Sequence, residues 1–213
     1  REIYLPGDEA AVWAGGVAGE PKVKTFTLDT NCIIDVAESR PSKPHILALR
    51  DAHFSGKANV AVVGISASEK QKAGGFLATF ETFQEELRTL GLDCLEILKP
   101  IGYSDITYMD WCVWSDPSLV ALERAIHTAM FPKAHFNRTD HIAYSSRLPK
   151  NAEAEWRNQK CDVLALVSHA LNRREIFVTR DADFNGAKSI SGIGQIVEPA
   201  LSLIHISEPT RPY

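Results

Sequence analysis

The sequence predicts an α/β fold, a three-layer α/β/α sandwich around a central, mainly parallel sheet. Short apolar runs alternate along the chain with longer segments of helical periodicity, and Gly, Pro and polar clusters separate them. The run at residues 59–65 is apolar at nearly every position. Strands of a parallel sheet are covered on both faces, so they carry continuous apolar runs of this kind, whereas half-exposed strands alternate.

The size of the chain predicts one main domain with additions. Its 213 residues, 45% of them hydrophobic, suffice for a single large core. We expect an N-terminal arm over residues 1–23, truncated at its start, and a domain over 24–200 that contains an elaboration at about 100–156. Residues 201–213 resemble a translated transposase sequencing adapter, so we expect them to be an artefact of the DNA library.

The first half of the domain predicts two strands, each followed by a helical region. Residues 25–28 are rich in β-branched and aromatic side chains and predict the first strand. A short helix begins at residues 32–36, a second helical stretch covers about 45–55, and the second strand occupies 59–65.

The next segment predicts a helix with an aromatic stripe that ends at Gly91. Its apolar residues recur at three- and four-residue spacing: Phe76, Phe80, Phe83, Leu87 and Leu90. A third strand is predicted over 92–98. A helix is predicted over 117–130, with Pro117 in its first turn and Ser115 or Asp116 as its cap.

The helical pattern weakens between residues 131 and 152. This segment carries four cations, which predicts either a basic loop that reaches a phosphate backbone or a solvated insertion; they are Lys133, Arg138, Arg147 and Lys150. Periodicity returns over 158–172 and places Asp162 in the first turn of a buried helix. A fourth strand is predicted at 176–179 and a fifth at 192–197.

Composition excludes several classes of protein. A net charge of −4 argues against a nonspecific nucleic-acid coat. The four cysteines are scattered and form no Cys-x-x-Cys pair, which disfavours a zinc ribbon or a disulfide scaffold and favours the reducing cytoplasm. The sequence has no signal peptide and no apolar run long enough to span a bilayer, so we expect no membrane partner.

Carboxylates follow the predicted strands at positions where a site is expected. Asp29 follows the first strand and Asp181 the fourth, while Glu69 follows the second strand at a predicted helix start and Asp162 lies at another. In open α/β sheets, ligands bind outside the carboxyl ends of the strands. Taken singly, these acids have plainer explanations: Asp29 or Asn31 as a helix cap, Asp162 as a complement to a helix dipole, Glu69 as a solvated carboxylate.

A cluster of four carboxylates predicts a divalent cation. At an effective dielectric constant of 20, two carboxylates about 5 Å apart repel each other by roughly 3 kcal/mol, so the cluster needs a counter-charge. Mg²⁺ or Mn²⁺, one or two ions, suits a set of oxygen ligands. Such ions activate water for the hydrolysis of phosphodiester bonds.

Four motifs resemble those of PIN domains over roughly residues 24–198: Leu28-Asp29-Thr30-Asn31 after a strand, Ser68-Glu69, Cys161-Asp162-Val163-Leu164-Ala165 and Thr179-Arg180-Asp181-Ala182-Asp183-Phe184. PIN domains are metal-dependent nucleases, and many are the ribonucleases of toxin-antitoxin pairs. The resemblance implies a ribonuclease whose catalytic and metal-binding acids are Asp29, Glu69, Asp162 and Asp181. It also implies Asp183 as a fifth metal ligand or orienting group, with Asn31 and Thr179 as polar support.

The expected partners are RNA, an antitoxin protein and a second copy of the chain. Candidate phosphate contacts are Arg180 beside the last motif, Arg138 in the basic segment, and His169, which lies seven residues after Asp162 and near the same helix face. A histidine at such a position is also commonly a packing residue. Four aromatic residues either stack on unpaired bases or pack the elaboration onto the sheet: Tyr103, Tyr108, Trp111 and Trp114.

Two alternative functions stay open from the sequence. Asp29-Thr30-Asn31 resembles the Asp-x-Asp motif of haloacid-dehalogenase-like phosphatases, although the amide of Asn31 cannot act as the general acid which that chemistry needs. The second alternative is a noncatalytic PIN-like module that binds RNA or a protein through the basic segment.

Overall fold

The computed structural model describes residues 23–69, 77–181 and 184, and the backbone of 202–205. The N-terminal arm up to residue 22, Asp183 and the strand predicted at 192–197 lie outside the described residues. The elements, in chain order, are β1 (Lys24–Leu28), α1 (Thr30–Ala37), α2 (Lys43–Phe54), β2 (Ala58–Val63), a 3₁₀ helix (Gly64–Ser68), α3 (Phe80–Thr89), β3 (Glu96–Leu98), α4 (Pro117–Met130), α5 (Arg138–Tyr144), α6 (Pro149–Leu171), β4 (Ile176–Thr179) and β5 (Ser202–His205).

The described strands form a parallel sheet with β1 at its centre. The order is β3-β2-β1-β4, and the backbone of β5 pairs in parallel beside β4. Phe26 of β1 lies opposite Val60 of β2 on one side and Ile176 of β4 on the other. Helices cover both faces of the sheet, so the predicted three-layer α/β/α class is confirmed.

The second strand shows why its sequence is apolar at nearly every position. Val60 and Val62 pack into the core beneath α1, α2 and α3, whereas Val63 packs into the core on the opposite face, beneath α4 and α6. All three side chains are fully buried. Successive side chains of a strand point to opposite faces, so a strand covered on both sides has no polar face.

A buried arginine joins the strands at their amino ends. The side chain of Arg174 is 4% exposed. Its Nη2 donates to the carbonyl oxygens of Phe26 at 3.0 Å and Asn59 at 2.8 Å, and its Nη1 lies 3.3 Å from Glu96 Oε2. These bonds tie β1, β2 and β3 together at the edge of the sheet opposite the carboxyl ends.

The segment at 131–152 differs from the sequence prediction because it contains helices. Residues 138–144 form α5, and α6 begins at Pro149, well before residue 158. Ala152, Trp156 and Lys160 recur every four residues and are buried, but the polar Lys160 hides this stripe from a hydrophobicity pattern. Asp162 therefore lies in the interior of α6 and not in the first turn of a helix.

Two smaller predictions are also corrected, and one is confirmed. Glu69 does not begin a helix: it follows the 3₁₀ helix in extended conformation, with φ −82° and ψ 154°. The third strand is shorter than predicted and covers only Glu96–Leu98. The helix at 117–130 has its predicted bounds, and Asp116 caps it by accepting from the backbone N–H of Ser118 at 2.8 Å and Leu119 at 2.9 Å.

The described helices differ in length and in polarity. The longest is α6, with 23 residues, and it carries charged and amide side chains along much of its length. None of the helices in the described ranges combines the length and the apolar character that crossing a membrane requires.

Candidate functional site

The candidate site lies at the carboxyl edge of three neighbouring strands. The chain leaves β1 at Asp29, it leaves β4 at Thr179 two residues before Asp181, and it passes from β2 through the 3₁₀ helix to Glu69. Because β2, β1 and β4 are adjacent and parallel, these exits lie at one edge of the sheet. The direction of strand succession reverses between β1 and β4, and ligands of open α/β sheets bind at such a point.

Asp29 is a buried carboxylate held by neighbouring polar groups. It is 4% exposed, and its Oδ2 accepts from Thr179 Oγ1 at 2.7 Å and from Asn31 Nδ2 at 3.4 Å. Burial raises the pKa of Asp29 to about 6, and the charge of Asp181 adds to this rise while the bond from Thr179 opposes it. Asp29 therefore carries a negative charge at neutral pH at a considerable cost in solvation.

A single threonine hydroxyl connects the ends of β1 and β4. Thr179 is fully buried, and its Oγ1 donates to Asp29 and accepts from the backbone N–H of Asp181 at 3.0 Å. Downstream of Asp181, the buried ring of Phe184 lies 5.2 Å from the ring of Phe177 in β4. The position of Asp181 is therefore fixed from both sides, by a hydrogen bond and by aromatic packing.

Glu69 reaches the same edge from β2. Its Oε1 accepts from Thr30 Oγ1 at 2.5 Å, and that hydroxyl also lies 2.8 Å from Ser66 Oγ. Burial raises the pKa of Glu69 to about 7, and the charges of Asp29 and Asp181 raise it further, against the bond from Thr30. The charge of Asp181 thus opposes the ionisation of both Asp29 and Glu69, and the charge of Asp29 opposes that of Glu69.

Asp162 lies on α6, and its neighbour Cys161 is close enough to Glu69 to respond to its charge. The preceding residue, Cys161, is a buried thiol whose pKa is raised first by burial, then by the charge of Glu69, with Asp162 also contributing. One turn earlier, Arg157 Nη2 donates to the carbonyl oxygen of Ser68 at 3.0 Å. This bond holds α6 against the end of the 3₁₀ helix, next to Glu69.

The carboxylates at this edge are the groups that could hold a metal ion. Within the described residues, no three His, Cys, Asp or Glu side chains form a ready-made set of metal ligands. Carboxylate oxygens are the ligands that Mg²⁺ and Mn²⁺ prefer. Burial is the main cause of the raised pKa values of Asp29 and Glu69, and neighbouring acidic charges add to it, so a cation at this place would favour the ionised forms of both acids.

His169 is a packing residue, and its prediction as a phosphate contact is not supported. It has no exposed surface, its Nδ1 lies 2.8 Å from Thr27 Oγ1, and its ring meets Phe177 edge to face at 5.4 Å. Burial lowers the pKa of His169 to about 3, so the ring is neutral at physiological pH. Its ring projects from α6 onto the sheet and is fully buried there, so a phosphate at the strand ends does not reach it.

The two predicted arginines make ion pairs within the protein. Arg180 Nη2 lies 2.8 Å from Oδ1 of Asp35, a buried carboxylate of α1 that also accepts from Arg40 at 3.3 Å. Arg138 is bonded to Glu153 and lies 3.7 Å from Asp105. The ion pair between Arg180 and Asp35 thus joins the end of β4 to α1.

The sequence prediction missed one feature of this region, and it left open whether the aromatic residues of the elaboration stack on bases or pack. Thr30, which bonds Glu69, gave no signal beyond its position next to Asp29, because a hydrogen bond between distant segments leaves no periodic trace. The aromatic residues of the elaboration mostly pack: Trp111 stacks on Phe80 with ring centroids 3.8 Å apart, and Tyr108 donates to the carbonyl oxygen of Leu77 at 2.6 Å. Trp114 is 75% exposed.

Comparison of the chain with family models, with curated proteins and with solved structures found no match. The conclusion about function therefore depends on the site and on the motifs that the sequence itself carries.

Proposed function

We propose that the protein is a nuclease that hydrolyses phosphodiester bonds with Mg²⁺ or Mn²⁺. One observation supports this most: Asp29, Glu69 and Asp181 follow three adjacent parallel strands to one edge of the sheet, where burial and neighbouring acidic charges raise the pKa of Asp29 and of Glu69. A cation there would favour the ionised forms of both acids. RNA is the proposed substrate because of the resemblance to PIN domains. The same resemblance supports Asp162 as the fourth acid and Asp183 as an additional ligand.

The chain's own residues prepare this site before an ion binds. Asp29, Glu69 and Asp181 would hold the metal, and Asp162 would complete the site from α6. A bound ion supplies a Lewis acid and lowers the pKa of water. Thr179 and Asn31 orient the carboxylate of Asp29, while Thr30 orients that of Glu69. Because both acids bind protons near neutral pH, metal binding is expected to release protons and to strengthen as pH rises.

The position of Asn31 favours the nuclease over a phosphatase with Asp29 as a covalent nucleophile. That chemistry needs a general acid two residues after the nucleophile. Asn31 has an amide there, and its Nδ2 donates to Asp29, so it stabilises the ionised carboxylate and has no acidic proton to deliver. Trapping of a phosphorylated Asp29 would overturn the nuclease proposal.

The first test is cleavage of a mixture of single-stranded and structured RNA in Mg²⁺, in Mn²⁺ and in EDTA. We expect metal-dependent cleavage by the unaltered chain. Asp29→Asn and Asp181→Asn should each lower the rate more than about a hundredfold, since loss of a ligand should cost at least as much as loss of a group that supports one. Asp51→Asn is the matched control because Asp51 is an exposed carboxylate of α2, paired with Arg50.

The outcomes separate the candidate functions. Full activity of Asp29→Asn would contradict the site assignment, and its unfolding, followed by circular dichroism, would indicate that Asp29 is only a structural group. RNA binding that survives in Asp29→Asn without cleavage in any metal would instead favour the noncatalytic binding module.

The proposed place of action is the cytoplasm. The four cysteines are free thiols, and Cys32 and Cys161 are buried among apolar side chains. An antitoxin protein and a homodimer stay predictions that rest on the resemblance alone.

A further inference from the structure

Two hollows lie side by side along α5 and α6, outside the acidic site. Their volumes are about 410 and 440 Å³, and they share the side chains of Arg147, Glu155 and Gln159 as a common wall. The first hollow is bounded by the segment after α4 and by α5, and the second continues along α6 to Asp162. Because the same three side chains line both hollows, we treat the hollows as one continuous depression and call it the α6 trough.

The trough ends at Asp162, the acid that α6 contributes to the proposed site. Asn151 and Asp162 both line its second hollow, and they are eleven residues apart along the α-helix, which corresponds to about 16 Å. A chain molecule lying along the trough would therefore reach Asp162 at its inner end.

The charges along the trough are mixed. Lys133 lies in the outer hollow and is exposed, and the side chain of Arg147, which lines both hollows, is 62% exposed. Arg147 Nε lies 3.1 Å from Glu155 Oε2, which is also 3.9 Å from the buried His141. Asp162 is the acid at the inner end. The outer hollow therefore carries a net positive charge and the inner hollow a net negative charge, so a bound anion would meet the cations first.

An exposed aromatic ring lies at the outer hollow. Tyr144 is 75% exposed, and its ring centroid lies 5.0 Å from that of His135. Further along, Asn151 and Asn158 line the inner hollow, and Gln159 Oε1 is buried with no hydrogen-bond partner in the described part of the chain. An exposed aromatic ring stacks on an unpaired base, amides form hydrogen bonds with base edges, and cations contact phosphates. Together these groups suit an unpaired strand.

We propose that the α6 trough binds a single strand of RNA and leads it to the acidic site. Lys133 and Arg147 contact phosphates, and Tyr144 stacks on a base. This inference rests on the proposed nuclease function, since it names the path of that enzyme's substrate. It assigns a role in substrate binding to part of the elaboration at about 100–156.

The test is the binding of a fluorescently labelled single-stranded RNA to the full chain in EDTA, followed by anisotropy at several salt concentrations. Lys133→Glu/Arg147→Glu should weaken binding about tenfold and should lower the salt dependence of log Kd by about 0.7 for each lost phosphate contact. Lys57→Glu/Arg88→Glu is the matched control. It makes the same change in net charge at exposed residues outside the trough, and Lys57 precedes β2 at the amino edge of the sheet.

A second pair of variants tests the stacking. Tyr144→Ala should weaken binding roughly fivefold or more, whereas Tyr144→Phe should bind like the unaltered chain because it keeps the ring. Equal weakening by the trough and control pairs would overturn the trough, and so would an absence of RNA binding or tighter binding of the duplex of the same sequence.

Failure of the trough and failure of the nuclease are distinguishable. If the protein cleaves RNA with metal and the trough and control variants bind RNA equally well, the trough proposal is wrong and the nuclease proposal stands. If only the trough variants weaken RNA binding in EDTA and the protein cleaves RNA in no metal, the trough is an RNA-binding surface and the nuclease proposal is wrong.

Discussion

At the scale of single residues, Thr179 has the most consequential contacts of the candidate site. Its hydroxyl donates to a carboxylate that follows β1 and accepts from a backbone N–H that follows β4. A hydroxyl can do both at once, whereas a methyl group of the same size can do neither. Thr179 is therefore a positioning residue, which acts on the site through Asp29 and Asp181.

We expect Thr179→Val to lower metal-dependent cleavage by about ten- to a hundredfold, as loss of groups that orient metal ligands commonly does. Because the bond from Thr179 lowers the pKa of Asp29, the variant should also shift the pH dependence of Mn²⁺ binding towards higher pH. Thr179→Ser should restore both properties. The readouts are initial cleavage rates and Mn²⁺ titration by electron paramagnetic resonance.

The control for this change is Thr25→Val. Thr25 Oγ1 accepts from the backbone N–H of Glu175 at 2.7 Å at the amino edge of the sheet. Its loss should lower stability without changing the rate of the folded protein. An unchanged pH dependence in Thr179→Val would contradict the positioning role.

At the scale of elements, a buried ion pair joins α6 to α4. Lys160 Nζ lies 2.5 Å from Glu123 Oε1, and their side chains are 0% and 5% exposed. The ammonium is also 4.0 Å from the ring centroid of Phe136 and 4.8 Å from that of Tyr103. The elaboration is thus attached to the helix that carries Asp162 by a charge surrounded by aromatic rings.

We expect Lys160→Ala to destabilise the protein by about 3–5 kcal/mol, because it leaves the Glu123 carboxylate buried without its partner. Replacing both residues in Lys160→Met/Glu123→Met should be close to neutral, since no unpaired charge then remains. Urea unfolding measures both free energies. Arg50→Ala, which breaks the more exposed pair with Asp51, should cost less than about 1 kcal/mol.

If Lys160→Ala cost no more than Arg50→Ala, the ion pair would not stabilise the contact between α4 and α6. A large loss in Lys160→Met/Glu123→Met would point to the packing of the lysine stem among the rings, and not to its charge.

At the scale of the whole molecule, two sets of buried groups give stability opposite pH dependences. The folded-state pKa values of Asp29 and Glu69 are raised to about 6 and 7, so their contribution to stability is present below the unfolded pKa near 4 and is lost as pH rises. Burial lowers the pKa of His127 to about 4 and of His169 to about 3, so their contribution is present above pH 6.5 and is lost as pH falls.

We therefore expect the stability of Asp29→Asn to increase relative to the unaltered, metal-free chain as pH rises from 5 to 8. The relative gain should be about 1.4 kcal/mol, because the window covers roughly one pKa unit below the folded pKa near 6 and the histidines are common to both chains and cancel. Urea unfolding in EDTA at several pH values measures it. A difference that stays constant with pH would contradict the shifted pKa of Asp29.

The pattern of buried positions along single elements was readable from the sequence. The apolar run of β2, the capped helix at 117–130 and the acids that follow the strands each depend on neighbours in the chain. The parallel sheet follows from such runs because strands without a polar face need cover on both sides.

The tertiary structure alone decided which of these groups meet. Lys160 interrupts the apolar pattern because its charge is balanced by Glu123 on another helix, so the true start of α6 and the interior position of Asp162 were hidden. His169 turned inward to Thr27, and Arg180 paired with Asp35. Periodicity records whether a position is buried, whereas the partner of a polar group depends on how separate elements pack, and that is settled only in three dimensions.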